Sequence, residues 1–181
     1  MKKLIGISGW PNSGKGAVGD ILEEQGFTVT HFADPLREFL RIVNPIVEGG
    51  KRWNDVLAEV GYRAAKDLFP EVRRLMHAIG TDAGRNYLDP DMWVKATEDE
   101  ISKLWGASEK GIVIPDLRMK NEASFIQNGW GGLVIRVERP GLLEETGHES
   151  EHDLDDWDFD HVVSNDGTLD DLRWKIFNLL L

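Results

Sequence analysis

The sequence contains no cysteine, which excludes disulfide bonds, thiolate metal sites and a cysteine nucleophile. It also lacks an apolar run of membrane-spanning length, and too few apolar residues precede Gly9 for a signal peptide. Basic residues are in deficit, with a formal net charge of −11, and nucleic-acid polymers require a basic surface. These absences predict a cytoplasmic protein without a membrane or nucleic-acid partner. Small phosphorylated ligands are still compatible, since they need only a local basic pocket.

The segment "GWPNSGKG" (9–16) has the spacing G-x-x-x-x-G-K of a phosphate-binding loop. It follows an apolar run at 4–8 that predicts a buried strand, and it precedes a helix expected to end at Gly26. In such loops, backbone N–H groups surround phosphate oxygens, and the lysine reaches the terminal phosphates. The alternative is a glycine-rich turn with one solvated lysine. We predict that ATP is bound here by Gly9, Asn12, Ser13, Gly14, Lys15, Gly16 and Ala17.

The loop lacks a hydroxyl after its lysine. Motor ATPases and signalling GTPases place Ser or Thr at this position to bind Mg²⁺, but this chain has Gly16 followed by Ala17. It also lacks the Asn-Lys-x-Asp motif with which GTPases read their base. Nucleoside monophosphate kinases commonly have Gly-Thr after the lysine, so only Ala17 departs from their form. Mg²⁺ would then be held by other groups, by phosphates and by water.

A carboxylate follows a second buried strand. "GIVIPD" (111–116) has the apolar pattern of a parallel strand and ends at Asp116. Because ligands bind at the carboxyl ends of parallel strands, we expect Asp116 beside the phosphate loop, where it would orient Mg²⁺ directly or through water. The alternative is a helix-capping aspartate. Arg118 is expected to point into the same cleft.

Four segments together carry a family resemblance, and they occur in one order along nearly the whole chain. They are "HFADPLREFL" (31–40), "RRLMHAIGTDAGRNYLDPDMWV" (73–94), "IVIPDLRMKNEASFI" (112–126) and "SNDGTLDDL" (164–172). They resemble the deoxynucleoside monophosphate kinases of bacteriophages, which are relatives of adenylate and thymidylate kinases. Members often have Asp-Thr after the loop lysine, so Gly16-Ala17 departs from the family pattern. The resemblance implies ATP and Mg²⁺ as cofactors, a nucleotide acceptor, a homodimer and, for a phage-encoded chain, the host cytoplasm.

The alternation of strands and helices and the resemblance together predict an α/β P-loop NTPase fold. We expect a five-stranded parallel sheet with helices on both faces, in a single domain over 1–181. The segment "NPIVEGGKRW" (44–53) is interpreted as a loop. The expected divisions are a core (1–33, 106–138 and 159–181), a helical acceptor-binding insertion (34–105) and a short lid (139–158).

The resemblance also implies residues for the acceptor nucleotide. Arg85 is the preferred clamp on the acceptor phosphate, because a guanidinium can bind phosphate through two hydrogen bonds. Its alternative is a surface or helix-capping arginine. Trp93 could stack beside a base or pack in the core, and Asp34 could orient the acceptor or accept a proton late. The full predicted acceptor set is Asp34, Arg37, Thr81, Asp82, Arg85, Trp93 and Arg118.

In this fold class the segment after the fourth strand is a lid that closes over the phosphates. Arg139 is preferred as the lid arginine that stabilises the transferring phosphoryl group, because Arg136 lies inside the predicted strand. Asn165 and Gly167 are expected at the donor adenine, with a plain turn as the alternative. The lid residues predicted to contact nucleotide are His148, Ser150 and Glu151. The predicted catalytic residues are Lys15, Asp34, Asp116, Arg118 and Arg139.

The motif "HESEH" (148–152) fits the zinc-protease pattern H-E-x-x-H. We reject this interpretation, because the surrounding acidic residues indicate an exposed segment and a third ligand is not evident. Two alternatives to the monophosphate kinase are open. One is another small-molecule kinase, such as a phosphomevalonate or dephospho-coenzyme A kinase. The other is a non-catalytic nucleotide-binding protein, which would bind ATP without turnover.

Overall fold

The computed structural model describes residues 1–142 and 152–180. It divides into two compact units, the sheet unit (1–32 and from Glu98 onward) and the helical unit (Ala33–Thr97). The strands are β1 Lys3–Ser8, β2 Thr28–Val29, β3 Ile46–Glu48, β4 Lys51–Arg52, β5 Gly111–Ile114, β6 Leu133–Glu138 and β7 His161–Ser164. The α-helices are α1 Lys15–Glu24, α2 Asp34–Val43, α3 Trp53–Leu68, α4 Pro70–His77, α5 Met92–Ala107, α6 Lys120–Ser124 and α7 Leu169–Leu180.

The sheet unit is built on a parallel sheet that has five strands in the described part of the chain. Their order is β2-β5-β1-β6-β7, and every neighbouring pair is parallel. The central strand β1 pairs with β5 on one side, where Ile5 faces Val113, and with β6 on the other, where Ile5 faces Leu133. The predicted five-stranded parallel sheet is therefore confirmed. The phosphate loop leaves the central strand at the edge where all the strands end.

Helices cover both faces of the sheet, as predicted. Ile5 and Ile7 point to one face and join a buried core with residues of α1 and α7, such as Ile21 and Ile176. Gly6 points to the other face, because side chains alternate along a strand. A Cβ on Gly6 would lie only 2.5 Å from the side chain of Ile126, which follows α6. The glycine therefore allows the helical layer to approach the central strand closely.

The helical unit has its own apolar core, which includes Leu36, Leu40, Trp53, Val72 and Trp93. The interpretation of 44–53 as a loop was wrong in part. β3 and β4 pair as an antiparallel hairpin, and Gly49 and Gly50 at its turn have positive φ angles of 57° and 82°. Strands of three and two residues are too short for an alternating apolar pattern to be recognised.

Two irregularities shape the helices of this unit. Gly61 interrupts α3, because its backbone has a positive φ angle of 75° and an extended ψ angle of 161°. The helix is therefore kinked there. After α4, the chain continues as a π-helical segment over Ala78–Leu88. Wide helices of this type are rare and frequently mark functional sites. Among the helices that the structure describes, none has the length and apolar character needed to cross a membrane.

Candidate active site

The phosphate loop joins β1 to α1. Its backbone has two residues in the left-handed region, Asn12 with φ 63° and Gly14 with φ 109°. Asparagine tolerates this conformation and glycine adopts it without strain. Gly14 caps the start of α1, and the first N–H groups of a helix have no partner within it. The loop and the helix start therefore form an anion-binding concavity, as the motif predicts.

Lys15 folds back over this concavity. Its Nζ donates hydrogen bonds to the carbonyl oxygens of Gly9 and, at 2.8 Å, of Trp10. These bonds fix the ammonium group above the loop. Ser13 is buried, with 1% of its surface exposed, and its hydroxyl has no hydrogen-bond partner among the described residues. Gly16 has no atom within 4 Å of where a Cβ would stand, so this glycine is not required by packing.

A cavity opens beside the loop at the carboxyl edge of the sheet. Its walls include the ammonium of Lys15 and the side chains of Arg118 and Arg136. The whole chain carries a formal charge of −11, so this concentration of cations is local. Basic side chains beside phosphate-loop backbone suit an anionic ligand. The residues that line it are Ser8, Gly9, Trp10, Pro11, Lys15, Leu117, Arg118, Arg136 and Leu154.

Arg136 belongs to this cavity, which the sequence interpretation did not expect of a residue inside a strand. Its side chain is 13% exposed, and its NH2 lies 3.0 Å from Asp155 Oδ1. Its Nε lies 3.3 Å from Glu138 Oε1, and its NH1 donates to the carbonyl of Leu154 at 3.3 Å. The guanidinium thus contacts two carboxylates and a carbonyl while it lines the phosphate-loop cavity. The sequence did not assign Arg136 to the site, because the alternating pattern of β6 does not show that Arg136 lies near the sheet edge where the cavity opens.

Trp10 is a second residue that the sequence did not single out. Its indole N–H donates to Asp155 Oδ1 at 3.3 Å, and its ring packs edge-on against His152 at 5.7 Å between centroids. His152 Nδ1 lies 2.9 Å from Asp155 Oδ2. Burial alone would raise the pKa of Asp155, but hydrogen bonds from His152, Arg136 and Trp10 hold it below its ordinary value. No local signal could have found Trp10, because its partners lie more than 140 residues away.

Asp116 follows β5, and its Oδ1 accepts a hydrogen bond from the backbone N–H of Phe32 at 3.0 Å. It is half-buried at the carboxyl edge of the sheet but does not line the cavity of Lys15 and Arg118. Among the described residues, no cluster of three or more His, Asp or Glu side chains could hold a metal ion. This donor set fits a Mg²⁺ ion held mainly by phosphate oxygens and water, as Mg²⁺ prefers.

A neighbouring depression lies beside the phosphate loop, and Asn165 and Gly167, which follow β7, are not part of its lining. Arg139 lines it together with Trp10, Ser13 and Ser164. The side-chain amide of Asn165 donates to the carbonyl of Ser13 at 2.9 Å, so this residue contacts the phosphate loop itself. A Cβ on Gly167 would lie 2.6 Å from Asp171 Oδ2, so glycine permits a tight turn into α7. The predicted lid residues His148, Ser150 and Glu151 lie outside the described residues.

In the helical unit, Arg37 and Asp34 form a pair at the start of α2. Arg37 NH1 donates to Asp34 Oδ1 at 2.7 Å, and the guanidinium lies 4.3 Å from the ring centroid of Tyr62. The Nε of Arg37 is buried and has no hydrogen-bond partner among the described residues. A buried donor without a partner costs about 1–3 kcal/mol. The Nε of Arg37 is therefore a hydrogen-bond donor that is available to a hydrogen-bond acceptor of a ligand.

Three further predicted acceptor residues lie on the π-helical segment, whereas the predicted Arg118 belongs to the sheet unit. Thr81 and Arg85 are half-buried, and exposed Asp82 lies 3.4 Å from His77 Nδ1. Trp93 is 7% exposed, and its indole N–H donates to the carbonyl of Gly80 at 2.8 Å. This burial favours the core-packing alternative for Trp93 over base stacking. The tryptophan holds the segment that carries the other three residues.

Comparison with known proteins assigns the family. The family model for deoxynucleotide monophosphate kinase matches residues 61–176. A putative deoxynucleotide monophosphate kinase of Acanthamoeba polyphaga mimivirus is 28% identical, over 97% of this chain and 94% of that protein. The deoxynucleotide monophosphate kinase of Enterobacteria phage T4 is 37% identical, over 60% of this chain and 45% of its own length. That of Escherichia phage RB69 is 31% identical, over 74% and 56%.

The chain thus spans about half the length of the two phage relatives and nearly all of the mimivirus relative. Among solved structures, the dephospho-CoA kinase of Campylobacter jejuni has a TM-score of 0.49 at 15% identity, over 99% of this chain and 96% of that chain. The shikimate kinase of Aquifex aeolicus has a TM-score of 0.46 at 13% identity, over 98% and 95%. The family match covers more than half of the chain and favours a monophosphate kinase over the other small-molecule kinases. The chain belongs to the deoxynucleotide monophosphate kinase family of phosphotransferases.

Proposed function

We propose that this protein transfers the terminal phosphoryl group of ATP to a deoxynucleoside monophosphate, giving ADP and the deoxynucleoside diphosphate. The observation that carries the proposal is the cavity in which Lys15, Arg118 and Arg136 meet beside a phosphate loop, in a chain of this family. An oxygen of the acceptor phosphate attacks the terminal phosphorus as its bond to the ADP oxygen breaks. Such transfer depends mainly on alignment and charge stabilisation, so no covalent enzyme intermediate is needed.

The donor phosphates are proposed to lie in the loop of Gly9–Gly16. Backbone N–H groups of the loop and of the start of α1 would donate to their oxygens. Lys15 already donates to the carbonyls of Gly9 and Trp10, and these bonds aim its ammonium group across the loop. An ammonium fixed in advance stabilises developing charge without reorganisation during the reaction. Asn12, Ser13, Gly14 and Ala17 complete the proposed donor set.

Arginines of both units are proposed to offset charge on the acceptor and transferring groups. Arg118 and Arg136 line the phosphate-loop cavity, which supports a role at the transferring phosphoryl group. Arg85 is proposed as the clamp on the acceptor phosphate, with Arg37, Thr81 and Asp82 as further acceptor contacts. Arg139 is the proposed lid arginine, together with the lid residues predicted from the sequence. Asp34, paired with Arg37, is proposed to orient the acceptor.

Mg²⁺ is proposed to be held by the phosphates, by water and by Asp116. When bound, the ion would supply positive charge that neutralises part of the charge on the donor phosphates. The hydrogen bond from the N–H of Phe32 to Asp116 Oδ1 orients this carboxylate at the sheet edge, which supports the assignment. Gly16 and Ala17 supply no hydroxyl, so the loop side chains contribute no metal ligand after the lysine.

The proposal is tested by a coupled ADP-release assay with Mg-ATP and each nucleoside monophosphate in turn. We expect turnover with at least one deoxynucleoside monophosphate and the diphosphate as product. Lys15→Ala should lower kcat/KM by about 10²-fold or more, because a fixed charge at the phosphates is lost. Lys103→Ala, which removes an exposed lysine of α5, is the matched control and should have wild-type activity. ATP binding without turnover for every acceptor would favour the non-catalytic alternative.

Two further properties, the cellular location and the oligomeric state, are also proposed. A cytoplasmic location is proposed because the chain has no cysteine and would use ATP. A homodimer is proposed from the resemblance to the phage kinases, and light scattering coupled to gel filtration tests it. A mass of one 20.4 kDa chain would contradict the dimer.

A further inference from the structure

We infer that Asn165 positions the phosphate loop, and that it acts on the donor phosphates through the backbone of Ser13 and Gly14. The inference rests on the proposed ATP site. Its first support is the hydrogen bond from Asn165 Nδ2 to the carbonyl oxygen of Ser13, 2.9 Å long and joining residues 152 positions apart. A carbonyl accepts only from a donor, so the amide nitrogen is the group that faces the loop.

The direction of one peptide plane explains why this bond matters. The carbonyl of Ser13 and the N–H of Gly14 belong to the same rigid, planar, trans peptide, so they point in opposite directions. A donor that holds the carbonyl on one side of the loop therefore turns the N–H to the other side. In a phosphate loop, inward-turned N–H groups are the phosphate ligands. Asn165 thus fixes the orientation of a phosphate-binding donor without contacting phosphate.

Gly14 gives a second, independent support. A Cβ at this position would lie 2.4 Å from Asn165 Nδ2, far inside normal contact distance. The absent side chain is therefore required by the approach of Asn165, in addition to the left-handed backbone with φ 109°. Gly14 and the side-chain amide of Asn165 therefore pack directly against each other.

Asn165 is itself held firmly. Its backbone N–H donates to the carbonyl of Glu138 at 2.6 Å. Lys175 Nζ donates to the carbonyl of Ser164 at 2.8 Å and to the Asp166 carboxylate at 2.6 Å, so the neighbours on both sides are anchored to α7. The hydrogen bond from Lys175 also lowers the pKa of Asp166 below its ordinary value. Because the backbone around Asn165 is already held, its side chain can restrain the loop with little further loss of conformational entropy.

A direct contact between Asn165 and adenine makes a different prediction. A residue that contacts the base affects ATP but not inorganic triphosphate, which has no base. A residue that orients the loop affects both ligands by the same factor. Binding of Mg-ATP and of inorganic triphosphate, measured by titration calorimetry on the full chain, therefore separates the two roles.

For Asn165→Ala we expect Kd to rise about 5- to 10-fold for both ligands, where 10-fold corresponds to about 1.4 kcal/mol. KM for the acceptor should change less than KM for ATP. Asn178→Ala is the matched control, because it removes an exposed amide of α7 that also donates to a carbonyl, that of Trp174 at 2.8 Å. This control should bind both ligands like the wild type.

Asn165→Asp adds a pH signature that a merely structural residue would not give. Its carboxylate would face the Ser13 carbonyl as a second acceptor, so we expect a larger loss than for Asn165→Ala at pH 8. As pH falls towards the pKa of the new carboxyl, a proton restores a donor, and the ratio of its Kd to the wild-type Kd should decrease. The same ratio for Asn165→Ala should stay constant with pH.

The outcomes separate the inference from the function on which it rests. If the wild type binds ATP, but the wild type and Asn165→Ala bind triphosphate with equal affinity, the inference is wrong and the proposed function is unaffected. Failure of the wild type to bind ATP would overturn both. If Asn165→Ala does not fold, Asn165→Asp at pH 8 also lacks the donor, and unchanged triphosphate affinity in that variant would equally overturn the inference.

Discussion

The sheet unit and the helical unit bring their charged residues together in different ways. In the sheet unit, Lys15, Arg118 and Arg136 come from three distant parts of the chain and meet at one cavity. In the helical unit, the pairs are local, with Arg37 bonded to Asp34 and His77 beside Asp82. The edge of a parallel sheet gathers distant segments, whereas a helix pairs residues a few positions apart. The sheet unit thus gathers three cations at one cavity, where Glu138 and Asp155 also contact Arg136, and the ion pairs named in the helical unit are local.

The largest expected effects compare one arginine from each unit. Arg118→Ala should lower kcat about 10²-fold for every acceptor, because it removes a cation from the phosphate-loop cavity. Arg85→Ala should instead raise KM for the acceptor by a similar factor and leave KM for ATP nearly unchanged. Steady-state kinetics with each substrate varied in turn measure both effects.

The control for this pair is Arg63→Ala, which removes an exposed arginine of α3 and should have wild-type kinetics. If Arg85→Ala lowers kcat and leaves the acceptor KM unchanged, the assignment of the acceptor phosphate to the helical unit is wrong.

A second, smaller effect compares two arginines within the sheet unit. Arg136 lines both the phosphate-loop cavity and the neighbouring depression, whereas Arg139 lines the depression but not the cavity. We expect Arg136→Ala to lower kcat/KM for ATP by about 10- to 10²-fold, and Arg139→Ala to lower it less. Arg136→Lys retains the charge but cannot reproduce the forked contacts, so it should be intermediate. A larger loss for Arg139→Ala would support the sequence-based preference for that residue.

The third prediction concerns stability and the helical unit. A Cβ on Gly84 would lie 2.9 Å from the carbonyl oxygen of Ile79 and 3.0 Å from Trp93 Nε1. Gly84→Ala should therefore lower the free energy of unfolding by about 1–3 kcal/mol. Denaturant titration followed by circular dichroism measures the change.

Gly106→Ala in α5 is the matched control. No atom lies within 4 Å of its Cβ position, so alanine should stabilise the helix there by about 0.5–1 kcal/mol. Equal stability of the Gly84→Ala protein and the wild type would show that the π-helical segment can shift to accommodate a methyl group.

The smallest predicted effect uses the lowered pKa of Asp155. A carboxyl group whose pKa is lower in the folded protein than in the unfolded chain contributes stability above its ordinary pKa, and this contribution is lost as pH falls through the lowered value. Asp155→Asn should lower the free energy of unfolding at pH 7 by about 0.5–1 kcal/mol, in the range for partly exposed ion pairs. The difference from the wild type should vanish in acid, well below pH 4.

Unfolding titrations at pH 7 and pH 3 test this dependence, with Asp67→Asn as the control. Asp67 pairs with an exposed arginine, Arg73, and its replacement should change stability little at either pH. A difference for Asp155→Asn that persists at low pH would mean that its hydrogen bonds, rather than its charge, stabilise the segment around Asp155.

Backbone features were predictable from the sequence where one strong pattern determines them. The run before Gly9, the loop spacing and the following helix placed β1, the phosphate loop and α1 correctly, because glycine positions and apolar runs act locally. The hairpin of β3 and β4 was not predictable from strands of three and two residues. The π-helical form of Ala78–Leu88 was not predicted either, since its sequence has no signal distinct from that of an ordinary helix.

The candidate site was predictable for Lys15 and Arg118, whose positions follow from a motif and from the end of a strand. It was not predictable for Trp10 and Arg136, because their environment depends on Asp155, which belongs to a segment far away in the sequence. Long-range packing also decided between the alternatives for Trp93, whose burial no periodicity reveals.

The open space around Gly16 has a consequence for how the loop could change. A side chain there would meet no neighbouring atom, and the backbone is not in the left-handed region, so Ser or Thr is sterically admissible. Packing therefore does not explain why this position lacks a hydroxyl. A single codon change could give the loop the hydroxyl found in motor ATPases and GTPases, which makes Gly16 the natural position at which to test whether such a hydroxyl alters the response of the enzyme to Mg²⁺.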